Sequence, residues 1–214
     1  ADIDVGPSTA VSASLGKSVS MWCKVNTVTS GLSTEWIRGP IGLTLLTQDC
    51  VTVNTTKYSV NPCDQTHHNF TLVVSNVQFS DAGRYVCGHS SMSSDRVTVT
   101  VIATPLGTRL LNSTADLKVP AQQATTFLCE TKAYPAATVT WEIDGTAVTS
   151  GVTHINSPRD VTTQLITTKS TLTYMFQKTQ GSKTVTCKAS NIASGSTPAV
   201  ASVNVDIICN YKVL

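Results

Sequence analysis

Asp81-Ala82-Gly83-Arg84-Tyr85-Val86-Cys87 is the stretch on which the fold turns. Its last four residues alternate, with Tyr85 and Cys87 on one side of an extended run and Arg84 and Val86 on the other. That is the two-residue period of a strand with one buried face. The same alternation recurs outward from it, in Val19, Met21, Cys23 and in Val97, Val99, Val101. Further along it returns in Phe127, Cys129, in Val139, Trp141, Ile143 and in Val185, Cys187, Ala189. Turn signals separate these runs, among them Leu15-Gly16-Lys17, Gly39-Pro40, Asp144-Gly145 and Gly181-Ser182. Helical periodicity is hard to find, so the predicted class is all-β, built from many short antiparallel strands.

The pattern also repeats on a larger scale. Cys23, Trp36 and Cys87 in the first half answer Cys129, Trp141 and Cys187 in the second, with cysteine-to-tryptophan gaps of 13 and 12 residues. A β-sandwich accounts for this, its two sheets joined across the core by sulfurs against which an indole packs. On these residues the chain resembles two immunoglobulin-superfamily domains in tandem, 1–103 and 104–214.

The resemblance implies one inter-sheet bridge per domain, Cys23 to Cys87 and Cys129 to Cys187. It also makes Tyr85, two residues before a cysteine, the tyrosine of a corner that bonds back to nearby backbone. The first cysteine spacing, 64 residues, leaves room for C′ and C″ strands and looks like a variable-type domain. The second, 58 residues, looks like a constant-2 or intermediate type, and Val185 stands where its corner tyrosine would be. Cys50 and Cys63 have no counterpart in the second half, and the simplest assignment pairs them with each other across the C′–D region. Arg38 keeps the parity of Trp36 and is expected to turn inward toward Asp81. Trp22, between Met21 and Cys23, is expected to point away from the core.

Composition narrows the function. Of 214 residues 41% are hydrophobic and only 13% charged, and 15 Lys+Arg against 13 Asp+Glu give a net charge of +2. This is a folded chain without the basic footprint a nucleic-acid backbone requires. No window offers the eighteen or so apolar residues of a membrane span, and Ala1-Asp2-Ile3-Asp4 is no leader, so a mature, soluble piece is expected. Any leader or membrane anchor would lie outside it. Seven cysteines without a Cys-x-x-Cys pair argue for structural disulfides and an oxidising compartment. Three sequons, at Asn54, Asn69 and Asn112, point to the same secretory route. The expected location is extracellular, at the cell surface or secreted.

Catalytic chemistry is not expected. Cys63, Asp64, His67 and His68 form the one cluster that resembles a metal site, but zinc would need Cys63 as a free thiolate, against an oxidised bridge to Cys50. No nucleophile elbow, phosphate-cradling loop or metalloprotease helix is visible. The reading is of a non-enzyme with no cofactor.

Binding is the remaining task, and the G-F-C-C′ sheet of a variable-type domain is where to look. With Trp36, Tyr85 and Cys87 inside, parity places Glu35, Ile37, Arg84, Val86 and Gly88 on its outer face. Leu43 or Leu45 would widen that face, and His89 is expected to open the F–G loop as a contact. Asn69 enters strand E, Asn54 lies near the C″–D edge and Asn112 is in the second domain, so glycans would leave the face clear. Tandem variable-plus-constant-2 organisation is similar to that of nectins, junctional adhesion molecules, costimulatory ligands and some invertebrate immune-type proteins. That implies recognition or adhesion at the cell surface, with a second copy of the chain or another immunoglobulin-type protein as partner and homophilic contact preferred. The alternative is a secreted innate-recognition module for microbial or carbohydrate surfaces. Cys209, beyond the last strand, is open to bridging two copies, to pairing with a cysteine outside this chain or to staying free.

Overall fold

Ser20, Trp22 and Lys24 are exposed while Val19, Met21, Cys23 and Val25 between them are buried, so the strand Val19–Val25 shows the predicted alternation in full. It belongs to a computed structural model that describes residues 3–28, 30–39, 44–89, 92–94, 96–111, 117–178 and 181–208. Leu43, Asn112 and Cys209 lie outside the described residues. The chain parts into two units between Ile102 and Ala103.

The first unit is a sandwich of two sheets. Its strands are β1 (Ile3–Gly6), β2 (Ala10–Ser14), β3 (Val19–Val25), β4 (Thr34–Arg38), β5 (Thr44–Gln48), β6 (Val51–Thr52), β7 (Tyr58–Asp64), β8 (Asn69–Val74), β9 (Gly83–His89), β10 (Met92–Ser93) and β11 (Val97–Leu111). One sheet runs β1-β3-β8-β7; the other runs β11-β9-β4-β5-β6, with β2 parallel to β11 and β10 folded back on β9. Cys23 of the first sheet is bonded to Cys87 of the second. Trp36 lies opposite Cys87 in register and is buried, its Nε1 donating to the Phe70 carbonyl at 3.1 Å. A second bridge, Cys50 to Cys63, ties the turn after β5 to β7.

Tyr85 supplies the expected corner: its hydroxyl donates to the Asp81 carbonyl at 2.7 Å, and burial pushes the phenol well above its usual range. The expected pairing of Arg38 with Asp81 is not formed. Asp81 ends a short 3₁₀ turn, Phe79–Asp81, and its carboxylate is taken by Lys57. Arg38 donates instead to the backbone carbonyls of Ser80 and Ala82, with its guanidinium 5.7 Å from the Tyr85 ring centroid. Sequence parity put Arg38 on the correct side; Lys57, nineteen residues downstream, carries no local signal of its role.

The second unit repeats the plan with β12 (Leu117–Pro120), β13 (Ala124–Tyr134), β14 (Thr138–Ile143), β15 (Thr146–Val148), β16 (Val152–Asn156), β17 (Ile166–Met175), β18 (Ser182–Ser190) and β19 (Ala199–Ile208). Residues 103–111 of β11 join the sheet β16-β17-β13, and the facing sheet is β12-β19-β18-β14-β15. Cys129 and Cys187 are bonded, and buried Trp141 donates from Nε1 to Ser170 Oγ at 2.8 Å. Val185 is fully buried where the first unit has its tyrosine. The chain is all-β, two immunoglobulin-like sandwiches in tandem.

Candidate functional site

The outer face of the β9-β4-β5 layer is built row by row from the strand register. Ile37 on β4 pairs with Val86 on β9 and with Leu45 on β5, so three apolar side chains cross three strands in a line. The next row is Gln48, Glu35, Gly88 and Ser93. A register shift between Trp36 and Ile37 turns Leu45 outward, 38% exposed, while its neighbour Leu46 is buried in the core. Arg84, opposite Thr98 of β11, continues the face and is exposed.

Gly88 makes this face concave. Its backbone is not in the left-handed region, and a Cβ added there would meet only the Met92 carbonyl at an ordinary 3.6 Å. Glycine here leaves space rather than relieving strain, since the row it interrupts carries side chains on both sides. The hollow has a volume of about 570 Å³. Glu35, Ile37 and Val86, which parity put on this outer face, line it together with Leu32, Met92 and Arg96. Apolar side chains and charges of both signs thus line the hollow.

Leu32, Met92, Ser93 and Arg96 were not legible as part of this face. Met92 and Ser93 join it because β10 folds back on His89 and Gly88, a two-residue pairing too short to carry an alternation signal. Ser94 fixes that fold-back: its N–H donates to the Cys87 carbonyl at 2.7 Å and its hydroxyl accepts from the Cys87 N–H at 3.0 Å.

His89 is a correction. It is the last residue of β9 and 2% exposed, its Nδ1 3.2 Å from Thr34 Oγ1. β10 prolongs the hairpin, so the strand outlasts the expected loop start and parity turns the imidazole inward with Tyr85 and Cys87. His89 is not an exposed loop contact.

The histidine and acid cluster after β7 is a turn. Cys63 is in its disulfide, and Asp64 Oδ1 accepts from the backbone N–H of Thr66 and His67 at 3.0 and 2.9 Å. Asp64 Oδ2 lies 2.7 Å from His67 Nδ1. The His67 backbone N–H, then its ring, hold the Asp64 carboxyl below the usual carboxylate range.

Of the sequons described, Asn54 is exposed in the turn between β6 and β7. Asn69 opens β8 in the β1-β3-β8-β7 sheet, away from the hollow. Three disulfides of this kind belong to proteins of the secretory route, extracellular or secreted.

Comparison with known proteins agrees with this architecture. Residues 6–102 match the immunoglobulin V-set domain family, and residues 108–197 match the CD80-like C2-set immunoglobulin domain family. The chain is 35% identical over 96 residues to hemicentin-1 of Mus musculus and 35% identical over 97 residues to hemicentin-1 of Homo sapiens. Each match covers 41% of this chain and 2% of the hemicentin. A crystal structure of Rst D1-D2 shares the fold with a TM-score of 0.76 at 18% identity, over 97% of this chain and 100% of that one. Domains of these two families are generally non-enzymatic and serve adhesion and recognition. The chain belongs to the immunoglobulin superfamily, as a V-set domain followed by a C2-set domain.

Proposed function

We propose that this chain is an extracellular recognition or adhesion module that binds protein through the hollow outer face of its first domain, with a second copy of itself as the preferred partner. The observation that carries the reading is the apolar row Leu45, Ile37, Val86 running into a hollow of about 570 Å³ with Glu35 and Arg96 in its lining. In a two-fold arrangement each patch meets its own copy, so an acid and a base on one face can be satisfied by the same face of the partner. Glu35, Ile37, Leu45, Arg84 and Val86 are the contact residues of this reading. Asn54 and Asn69 carry glycans in it, and neither lies in that row.

Sedimentation equilibrium with Cys209 alkylated tests it. The wild type is expected to gain mass with concentration, while Ile37→Asp and Val86→Asp stay monomeric with unchanged circular dichroism. A wild type that remains monomeric throughout the range refutes homophilic binding. A mixed outcome, in which both variants still associate, refutes the face.

A further inference from the structure

The β1-β3-β8-β7 sheet presents a tryptophan to solvent beside a sequon. We propose that the N-linked glycan of Asn69 folds back across the indole of Trp22, which serves as its platform. The inference is independent of the hollow on the opposite sheet.

Register places the groups. Cys23 lies opposite Phe70, both buried, so their neighbours Trp22, Lys24, Asn69 and Thr71 face outward. Trp22 is directly opposite Thr71, the hydroxyl residue of the sequon, and Lys24 is opposite Asn69. Asn69 is therefore the diagonal neighbour of Trp22, at about 7 Å between backbones.

The ring lies flat on the sheet. Gly6 of β1 is opposite Trp22 on its other side. A Cβ built on Gly6 would stand 2.3 Å from Cε2 and Cζ2 of Trp22 and 2.6 Å from Nε1. A point in the ring plane at that distance from both carbons would stand closer to Nε1 than to either of them, so these distances put the Cβ off the plane. Gly6 thus sits under the face of the indole, and any larger residue would lift the ring. Trp22 is 38% exposed, whereas Trp36 and Trp141 are each 1% exposed.

Asn69 itself is half-buried. Its Oδ1 is buried and finds no hydrogen-bond partner among the described residues. Nδ2 is the atom that accepts the sugar. An oligosaccharide leaves its polyprenyl-pyrophosphate donor as the C1–O bond to pyrophosphate breaks; the C1–N bond to Nδ2 forms and one amide proton is released. The aliphatic C–H face of a pyranose then covers the indole while its hydroxyls stay in water, giving an apolar surface with a polar rim. A glycan lying so removes from water the largest apolar side chain on this sheet face.

The experiment uses the whole chain expressed in cells that N-glycosylate. Peptide mass mapping reads occupancy at Asn69. An amidase then removes the whole glycan from the folded glycoprotein, which needs no refolding. Because the other two tryptophans are buried, acrylamide quenching reads Trp22. Removal is expected to raise the quenching constant and shift emission to the red, and to do neither in Trp22→Leu. Asn54→Gln should leave the response intact. An unmodified Asn69 peptide overturns the proposal, and so does an occupied Asn69 whose deglycosylation leaves Trp22 quenching unchanged.

Discussion

The ammonium of Lys57 is paired with the carboxylate of Asp81, whose side chain is only 6% exposed. Lys57 immediately precedes β7 in one sheet, and Asp81 precedes β9 in the other. Lys57 also donates to the Asn76 carbonyl at 3.0 Å, and Asp81 Oδ2 accepts from the Gln78 N–H at 2.7 Å. With the Tyr85 hydroxyl on its carbonyl, Asp81 fastens the approach to β9 from three directions. Lys57→Met strands a nearly buried carboxylate, which costs more than a surface pair and less than a fully buried one, about 2 kcal/mol. Urea unfolding should show this, and Lys57→Met with Asp81→Asn should recover part of the loss. An unchanged midpoint for Lys57→Met would mean that Gln78 and water already satisfy Asp81.

The two disulfides of the first domain differ in what they hold. Cys23 and Cys87 are fully buried within the core, while Cys50 is exposed and Cys63 half-buried, only 13 positions apart in sequence. On the chain-entropy model the shorter loop contributes about 3 kcal/mol. Cys50→Ala with Cys63→Ala should therefore fold, melt at a lower temperature and keep its near-ultraviolet circular dichroism. Cys23→Ala with Cys87→Ala loses the longer cross-link and opens a cavity beside Trp36, so it should lose cooperative unfolding. Equal damage from the two pairs would contradict this division.

Gly88 offers a variant that separates binding from folding. An added Cβ has room, and no positive φ opposes it. Gly88→Leu fills the hollow between Glu35 and Ser93 with little strain, so the melting temperature should hold within a few degrees. Association through this face should fall at least tenfold, an equilibrium change of about 1.4 kcal/mol. If Gly88→Leu associates as the wild type does, the hollow is not the contact.

The residues that could be placed from sequence are those governed by period two. Cys23, Trp36, Tyr85 and Cys87 inside, with Glu35, Ile37 and Val86 outside, follow from parity along β3, β4 and β9. Where the strand pattern breaks, parity gives no guidance. Leu45 does face outward, but the shift between Trp36 and Ile37 that sets its register leaves no mark in the sequence; His89 keeps the inward parity of Tyr85 and Cys87, and what was not legible is that two residues of β10 carry the strand past the expected loop start. The Lys57–Asp81 pair joins different sheets, and no local pattern records such a contact. Gly88 was legible as outward-facing but not as the origin of a hollow, which depends on what flanks an absent side chain.

Acid should weaken both domains, and the sign follows from three exposed carboxylates held below their ordinary value of 3.8. Asp144 is lowered by the hydrogen bond from Lys183 Nζ, at 2.6 Å, and by the Thr184 N–H. Asp160 is lowered by the Thr163 N–H, and Asp64 by the His67 N–H. A carboxylate depressed by folding stabilises the native state above its unfolded pKa, and that contribution is lost as pH falls through the folded pKa. The melting temperature should be level above about pH 5 and decline below about pH 4. Exposure keeps each contribution small, so the informative measurement is the difference between curves. Asp144→Asn should melt slightly below the wild type at neutral pH and converge with it as pH falls through the folded pKa of Asp144, where the contact it removes is lost by protonation. Curves that stay parallel throughout the acid range would show that Lys183 and Thr184 do not couple the Asp144 proton to folding.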